Sequence, residues 1–124
     1  MYIKEVKKCA EFTANDNTIL RELLHPDKEL EKMDFRYSLA YGLLKPGTAS
    51  LEHKMITSEV YYILRGTGIL YIDEKSEAVY AGCAIVIPSG SVQFLKNTGD
   101  NDLTFLCIVD PAWQPEDELI IKEQ

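Results

Sequence analysis

The feature that most constrains the fold is a series of short apolar segments, which recur about every ten residues from residue 35 onward. Each segment is rich in β-branched, aromatic or leucine side chains and ends near glycine, proline, asparagine or aspartate. The predicted strands cover residues 35–44, 60–64, 69–72, 78–80, 84–87, 92–95 and 103–109. Short strands separated by regular turns predict an all-β sandwich or barrel. A closed antiparallel jelly roll is favoured because it leaves no strand edge exposed.

The segments that flank these strands carry weaker signals. Residues 18–24 place apolar side chains at helical spacing, but the run is too short to separate a helix from a strand. Residues 27–34 are polar and predict a loop or one helical turn. We therefore expect a single domain over residues 1–124, with a barrel core at about 35–110, an N-terminal extension over 1–34 and a C-terminal tail over 111–124.

Charge and composition argue against nucleic acid and membranes as partners. The chain has 20 Asp and Glu against 13 Lys and Arg, a net charge of −7, whereas phosphate binding requires a basic surface. No apolar run is long enough for a transmembrane helix, and the first residues lack the apolar core of a signal peptide. Three cysteines without CxxC spacing are typical of a reduced chain. We therefore expect a cytoplasmic protein.

Two stretches resemble the two motifs of the cupin family. The first runs Gly47, five residues, His53-Lys54-Met55, three residues, Glu59, six residues, Gly66. The second runs Gly82, five residues, Pro88-Ser89-Gly90, two residues, Gln93, three residues, Asn97. These separations match the family, as does the interval over residues 67–81 between the motifs. The resemblance implies the double-stranded β-helix, or jelly-roll barrel, of a small single-domain cupin.

The same resemblance implies a metal site, but with altered ligands. Cupins usually bind a metal through the set His-His-Glu-His, and this chain keeps His53 and Glu59 but has Met55 and Gln93 at the other two positions. A thioether and an amide oxygen are weak ligands for Zn, Fe, Mn or Ni, and only copper favours the Met55 sulfur. We expect a divalent transition metal on His53, Glu59 and Gln93. The residues alone leave open that His53 and Glu59 simply hydrogen-bond to each other, and that Met55 only fills a gap in the core.

Strand alternation predicts which side chains share a cavity. Because residues i and i+2 face the same side of a strand, His53 and Met55 point into the barrel together, and Tyr61 shares the face of Glu59. We expect Met55, Tyr61 and Gln93 to contact a substrate. The Gln93 amide suits either metal ligation or hydrogen bonding to a substrate.

Two further residues, His25 and Trp113, are weaker site candidates. His25 precedes Pro26 and is expected in an exposed loop, although it is the remaining histidine that could replace a missing ligand. Trp113 lies between Pro111 and Pro115 and is expected to cap the barrel end or to pack against a partner chain.

The resemblance implies two classes of function. The first is an enzyme that acts on a small polar metabolite, for example an isomerase or lyase. It would use either a metal as Lewis acid or Glu59 or His53 as a general base. The second is a small-molecule-binding protein without turnover, in which the replaced ligands mark a degenerate metal site. The resemblance also implies a homodimer, and residues 103–109, apolar on both faces, suit a strand that is covered on two sides.

Overall fold

The computed structural model describes residues 1–122, which contain strands and two short 3₁₀ turns but no α-helix. Within these residues the strands are β1 (Glu11–Thr13), β2 (Ile19–Leu24), β3 (Ser38–Leu44), β4 (Glu52–Met55), β5 (Ser58–Arg65), β6 (Thr67–Ile72), β7 (Lys75–Tyr80), β8 (Ala84–Ile87), β9 (Gln93–Asn97), β10 (Leu103–Asp110) and β11 (Glu118–Lys122). The 3₁₀ turns, Val6–Lys8 and Pro115–Asp117, precede β1 and β11.

The strands form two antiparallel sheets that pack against each other. The six-stranded sheet has the order β1-β2-β3-β10-β5-β8, and the five-stranded sheet has the order β11-β4-β9-β6-β7. The chain passes repeatedly from one sheet to the other, as in a jelly roll. The all-β, antiparallel double-stranded β-helix predicted from the sequence is therefore confirmed.

The core lies between the sheets and follows the alternation of the strands. Along β10, the side chains of Phe105 and Cys107 are buried in the barrel, whereas Leu106 and Ile108 face outward. Because β5, β6 and β9 repeat this pattern with a period of two, both sheets contribute to one cluster of buried side chains. Its members are Leu44, Tyr61, Ile63, Leu70, Val79, Ile87, Leu95, Leu103, Phe105 and Cys107.

Two motif residues outside the expected ligand set have clear structural roles. Gly66 has a φ of +92°, and a Cβ atom there would lie 2.8 Å from the carbonyl oxygen of Asp102, so only glycine fits this turn. Asn97 is buried, and its side-chain amide donates hydrogen bonds to the carbonyls of Leu44 and Asn101. These residues hold neighbouring turns and strands in place, which explains why the motif spacing predicts the fold.

Both terminal segments add strands to the barrel. The ambiguous run over residues 18–24 forms β2 because it pairs along β3, and the loop predicted for residues 27–34 is confirmed. In the C-terminal tail, β11 pairs with β4, so that Ile120 lies opposite His53. The two sheets therefore extend beyond the predicted core of 35–110, and both ends of the chain reach the region of the motifs.

Candidate functional site

The barrel contains a cavity of about 210 Å³ that is lined by residues of both sheets and of the two terminal segments. Four predicted site residues, His53, Met55, Glu59 and Tyr61, line it together. Gln93 is not among the lining residues, but it contacts Glu59. The remaining lining residues are Phe12, Thr13, Ala14, Asn15, Asp16, Thr18, Leu20, Glu22, Lys28, Phe105, Cys107, Val109, Trp113 and Glu118.

His53 is held so that one ring nitrogen is available to the cavity. The residue lies on β4 and is only 1% exposed. Its Nδ1 lies 2.7 Å from the carbonyl oxygen of Leu51, and since a carbonyl only accepts, Nδ1 carries the hydrogen and donates it. In the neutral ring Nε2 therefore keeps its lone pair. This arrangement, with the distal nitrogen fixed by a backbone carbonyl, is usual for a histidine that binds a metal.

Two carboxylates that the sequence analysis did not select lie next to His53 Nε2. The Asp16 Oδ2 atom is 3.4 Å away and the Glu118 Oε2 atom is 4.0 Å away. The three potential ligand atoms lie within 4.8 Å of one another. Asp16 belongs to the turn before β2, and Glu118 begins β11. No local pattern marks either residue, because each reaches His53 only through long-range strand pairing.

Glu59 and Gln93 form a buried pair between the two sheets. Gln93 Nε2 donates a hydrogen bond of 2.7 Å to Glu59 Oε1, while Gln93 Oε1 has no hydrogen-bond partner within the described part of the chain. Burial raises the pKa of the Glu59 carboxyl to about 8, and the negative charges of Asp16 and Glu118 act in the same direction. The hydrogen bond from Gln93 opposes this shift. At neutral pH the metal-free site therefore favours a protonated Glu59.

Burial also raises the pKa of two other groups of the cavity, Glu118 and Tyr61. Burial raises the pKa of Glu118, with the Asp16 charge adding to the shift and His53 opposing it. Burial and the Glu59 charge raise the pKa of Tyr61 well above its usual value, so the phenol stays protonated and can donate a hydrogen bond. The Tyr61 ring packs against Phe105, with a centroid distance of 5.3 Å.

His25 is not in an exposed loop, and that expectation is wrong. The residue is 1% exposed. Its Nδ1 accepts a hydrogen bond from the backbone of Asp27, so its Nε2 donates to the carbonyl oxygen of Trp113 at 2.7 Å. The Nδ1 hydrogen bond lies within the N-terminal loop, and the Nε2 hydrogen bond joins this loop to the C-terminal tail. His25 therefore has a structural role, and Trp113 lines the cavity next to this link.

Comparison with known proteins identifies the family. Residues 40–109, more than half of the chain, match the cupin domain. The chain belongs to the cupin family. Among the described residues, no helix has the length and hydropathy that crossing a membrane would require.

The similar proteins carry different descriptions. An uncharacterised protein of Methanocaldococcus jannaschii is 35% identical over 119 residues, which cover 95% of this cupin and 93% of the relative. The oxalate-binding protein of Thermotoga maritima is 36% identical over 67 residues, or 53% of this chain and 55% of the relative. The polyketide cyclase of Streptomyces resistomycificus superposes with a TM-score of 0.80 at 19% identity, over 100% of this chain and 87% of the other. The last similarity establishes a shared fold alone.

Proposed function

We propose that this cupin binds a small polar metabolite in the barrel cavity and catalyses proton transfer on it, with a divalent metal ion held on His53. The observation that carries the proposal is the Glu59 carboxyl, which lies in the same cavity as His53, whose Nδ1 is bound to the Leu51 carbonyl and whose Nε2 lies beside two carboxylates. Groups with strongly perturbed pKa values that converge in one cavity are typical of catalytic sites.

Glu59 suits general acid–base catalysis. A carboxyl with a pKa of about 8 can donate a proton near neutral pH and then accept one as the carboxylate. Gln93 occupies Oε1, which leaves Oε2 for the bound molecule. Tyr61, protonated because of its burial, supplies a second hydrogen-bond donor, and Met55 supplies an apolar wall. Gln93 would then act mainly by orienting Glu59.

The residues around His53 fit a divalent ion. The free imidazole nitrogen is a good ligand for Zn, Fe, Mn or Ni. The motif positions predict Glu59 and Gln93 as the other two ligands. The side-chain carbonyl oxygen of Gln93, which has no hydrogen-bond partner among the described residues, is a buried acceptor that a cation would satisfy. Copper would be favoured only if the Met55 sulfur also bound. When bound, such an ion would supply a Lewis acid for an oxygen of the substrate.

The cavity favours a small ligand. Its volume of about 210 Å³ is below the range of roughly 300–1,000 Å³ that is usual for drug-sized molecules. The lining carboxylates and His53 suit a ligand with hydroxyl or carbonyl groups, with or without an ion. An isomerase or lyase reaction, in which one carboxyl moves a proton, is the simplest chemistry for this arrangement.

The alternative is a binding protein without turnover, and two observations favour it. Met55 and Gln93 stand where the family usually has histidines, and the Thermotoga maritima relative is described as an oxalate-binding protein. In that case Glu59 and Tyr61 would only recognise the ligand through hydrogen bonds.

Deuterium exchange separates the two functions. Small keto acids, hydroxy acids and sugars would first be screened for binding by thermal shift, with and without Zn²⁺. Each ligand found would then be incubated in D₂O and followed by proton NMR. We expect the wild-type chain to incorporate deuterium or convert the ligand, and Glu59→Gln to do so at least about 100-fold more slowly. Glu77→Gln, which alters an exposed carboxylate on β7, is the control and should match the wild type. Tight binding without exchange or conversion would support the binding protein instead.

We also propose that the protein is a cytoplasmic homodimer. Its cysteines, Cys9, Cys83 and Cys107, are free thiols, which suits a reducing compartment. The outer face of the six-stranded sheet is apolar over β3, β10, β5 and β8 and offers a surface for a second copy. The acidic chain supports the expectation that neither nucleic acid nor an anionic membrane is a partner.

A further inference from the structure

We propose that Asp16 and Glu118, together with His53, form the cation site of this barrel, so that Glu59 remains free for proton transfer. The assignment rests on the function proposed above, since it names the ligands of the same ion. It differs from the motif-based ligand set in two of three positions, and this difference can be tested directly.

Three separate segments bring the ligand atoms together. His53 comes from β4, Asp16 from the turn before β2, and Glu118 from the start of β11. The distances from His53 Nε2 to the two carboxylates are 3.4 Å and 4.0 Å. Two ligands that each lie about 2.0–2.2 Å from one Zn²⁺ ion are about 3.3–3.6 Å apart at a tetrahedral angle. The two separations from His53 therefore need only a small adjustment to accept one ion, and all three ligand atoms lie within 4.8 Å of one another.

The backbone of Leu51 fixes two of the three ligands. Its N–H donates to the carbonyl oxygen of Asp16 at 2.7 Å, and its carbonyl accepts the Nδ1 hydrogen of His53 at 2.7 Å. Asp16 Oδ1 accepts a hydrogen bond from the backbone of Thr18. Every other polar contact of these side chains is thus directed away from the site, which leaves Oδ2 and Nε2 facing each other. Such outer contacts are what orient the ligands of a metal.

Glu118 supplies a ligand close to the position where the family has its second histidine. It pairs across the strands with Met55, which occupies that motif position. Side chains directly opposite each other on antiparallel strands have Cβ atoms about 4.5–5.5 Å apart. The Glu118 carboxylate on the neighbouring strand can therefore supply a ligand near the position where the Met55 thioether would be a weak one.

The charges of the site also favour a cation. The Asp16 and Glu118 side chains are only 10% and 7% exposed, and buried carboxylates are costly unless a positive charge is near. A protonated His53 would offset one negative charge, whereas a divalent ion offsets both. One imidazole nitrogen with two carboxylate oxygens suits Zn²⁺, Mn²⁺, Fe²⁺ or Ni²⁺ and does not suit Cu(I).

A crystal of the wild-type full chain soaked in Mn²⁺ gives the most direct test. We expect an anomalous peak within about 2.5 Å of His53 Nε2 and of a carboxylate oxygen of both Asp16 and Glu118. A peak bound to Glu59 and Gln93, or no peak, would overturn the assignment. This measurement needs no variant, so it does not depend on whether a substituted chain folds.

Calorimetric titration of Mn²⁺ and Zn²⁺ into variants gives a second test. We expect Asp16→Asn and Glu118→Gln each to weaken binding at least tenfold, whereas Glu59→Gln changes it less than about threefold. Glu22→Gln is the matched control, because it removes another carboxylate of the cavity, one that pairs with Lys28. Equal affinities in wild type, Asp16→Asn and Glu118→Gln would contradict the assignment.

Failure of the assignment and failure of the proposed function give different results. If Glu59→Gln abolishes metal binding and Asp16→Asn does not, the assignment is wrong while metal-dependent chemistry remains. If Asp16 and Glu118 bind the ion but no ligand is converted, the assignment holds and the catalytic function is wrong.

Discussion

Glu59 is a carboxylic acid enclosed between two sheets, with one oxygen held by Gln93 and two further carboxylates in the same cavity. Its pKa of about 8 follows first from burial and then from the charges of Asp16 and Glu118. The same Gln93 side chain carries a carbonyl oxygen that has no hydrogen-bond partner within residues 1–122. The residue that we propose for proton transfer is therefore also expected to affect stability strongly.

We predict that the stability of the metal-free protein depends on pH through Glu59. The pKa of a glutamate in the unfolded chain is 4.5, and that of Glu59 in the folded state is about 8. Between these two pH values the folded state therefore holds a proton that the unfolded chain has released. The free energy of unfolding contributed by this group is therefore fully present below pH 4.5 and falls as the pH rises towards 8. The slope reaches about 1.4 kcal/mol per pH unit for one proton.

Urea unfolding in the presence of EDTA measures this slope. The pH would be varied from about 5 to about 9 in steps of roughly one unit. In Glu59→Gln the slope should be smaller, and the variant should be more stable than the wild type at the alkaline end. Glu118 has a raised pKa as well, so the difference between the two proteins isolates Glu59. An identical slope in Glu59→Gln would show that the carboxyl ionises normally in the folded state.

At the scale of the elements, the site depends on the short strand β4, which is held in place by the strands on either side of it. The strand β4 has four residues and lies between β9 and β11. Its His53 pairs with Gln93 on one side and Ile120 on the other. The turns of the motifs decide how these strands enter the barrel, so their glycines are good points at which to test the fold.

We predict that Gly66→Ala destabilises the protein more than Gly82→Ala does. Both residues have a positive φ, +92° and +96°, so the cost of the left-handed conformation, about 1–2 kcal/mol, is shared. At Gly66 the new Cβ would also lie 2.8 Å from the Asp102 carbonyl, whereas at Gly82 nothing lies within 4 Å. Thermal or urea unfolding compares the variants. If the two lose equal stability, the close approach at Gly66 is not what requires glycine there.

At the scale of the whole molecule, the outer face of the six-stranded sheet is apolar over its central strands, in contrast to the acidic cavity. Two rows of side chains cross four strands in register on this face: Leu39, Ile108, Val60 and Val86 in the first row, and Tyr41, Leu106, Tyr62 and Ala84 in the second. Neither row contains a charge, although the chain has a net charge of −7. Two copies could therefore meet there without bringing carboxylates together, and a flat sheet face suits a two-fold contact.

We predict a dimer that Val86→Glu disrupts. Val86 is 70% exposed within this apolar face, and a buried carboxylate on each copy would be unpaired in the dimer. Sedimentation analysis should give twice the monomer mass of 14.1 kDa for the wild type, and the monomer mass for the variant. Ile56→Glu changes a residue of similar exposure, 69%, outside this face and should remain dimeric. A monomeric wild type at high concentration would exclude the face as a dimer surface.

Local pattern alone was enough for most of the barrel and for part of the site. The strand positions followed from a period of two and from turn residues, which depend on neighbours in the chain. The same alternation placed His53 with Met55 and Tyr61 with Glu59, and these four side chains do share one cavity. The motif spacing identified the family because residues such as Gly66 and Asn97 fix the turns that the fold requires.

Tertiary structure decided which other groups meet His53. Asp16 lies in an ordinary polar turn and Glu118 in an acidic tail, and neither position has a repeat or spacing that predicts its partner. They reach the imidazole through the Leu51 backbone and through the pairing of β11 with β4, contacts between segments far apart in the chain. His25 likewise became buried because the C-terminal tail folds over it. Sequence periodicity determines on which face of its strand a side chain lies. Pairing between strands that are far apart in the sequence determines which other side chains that face meets.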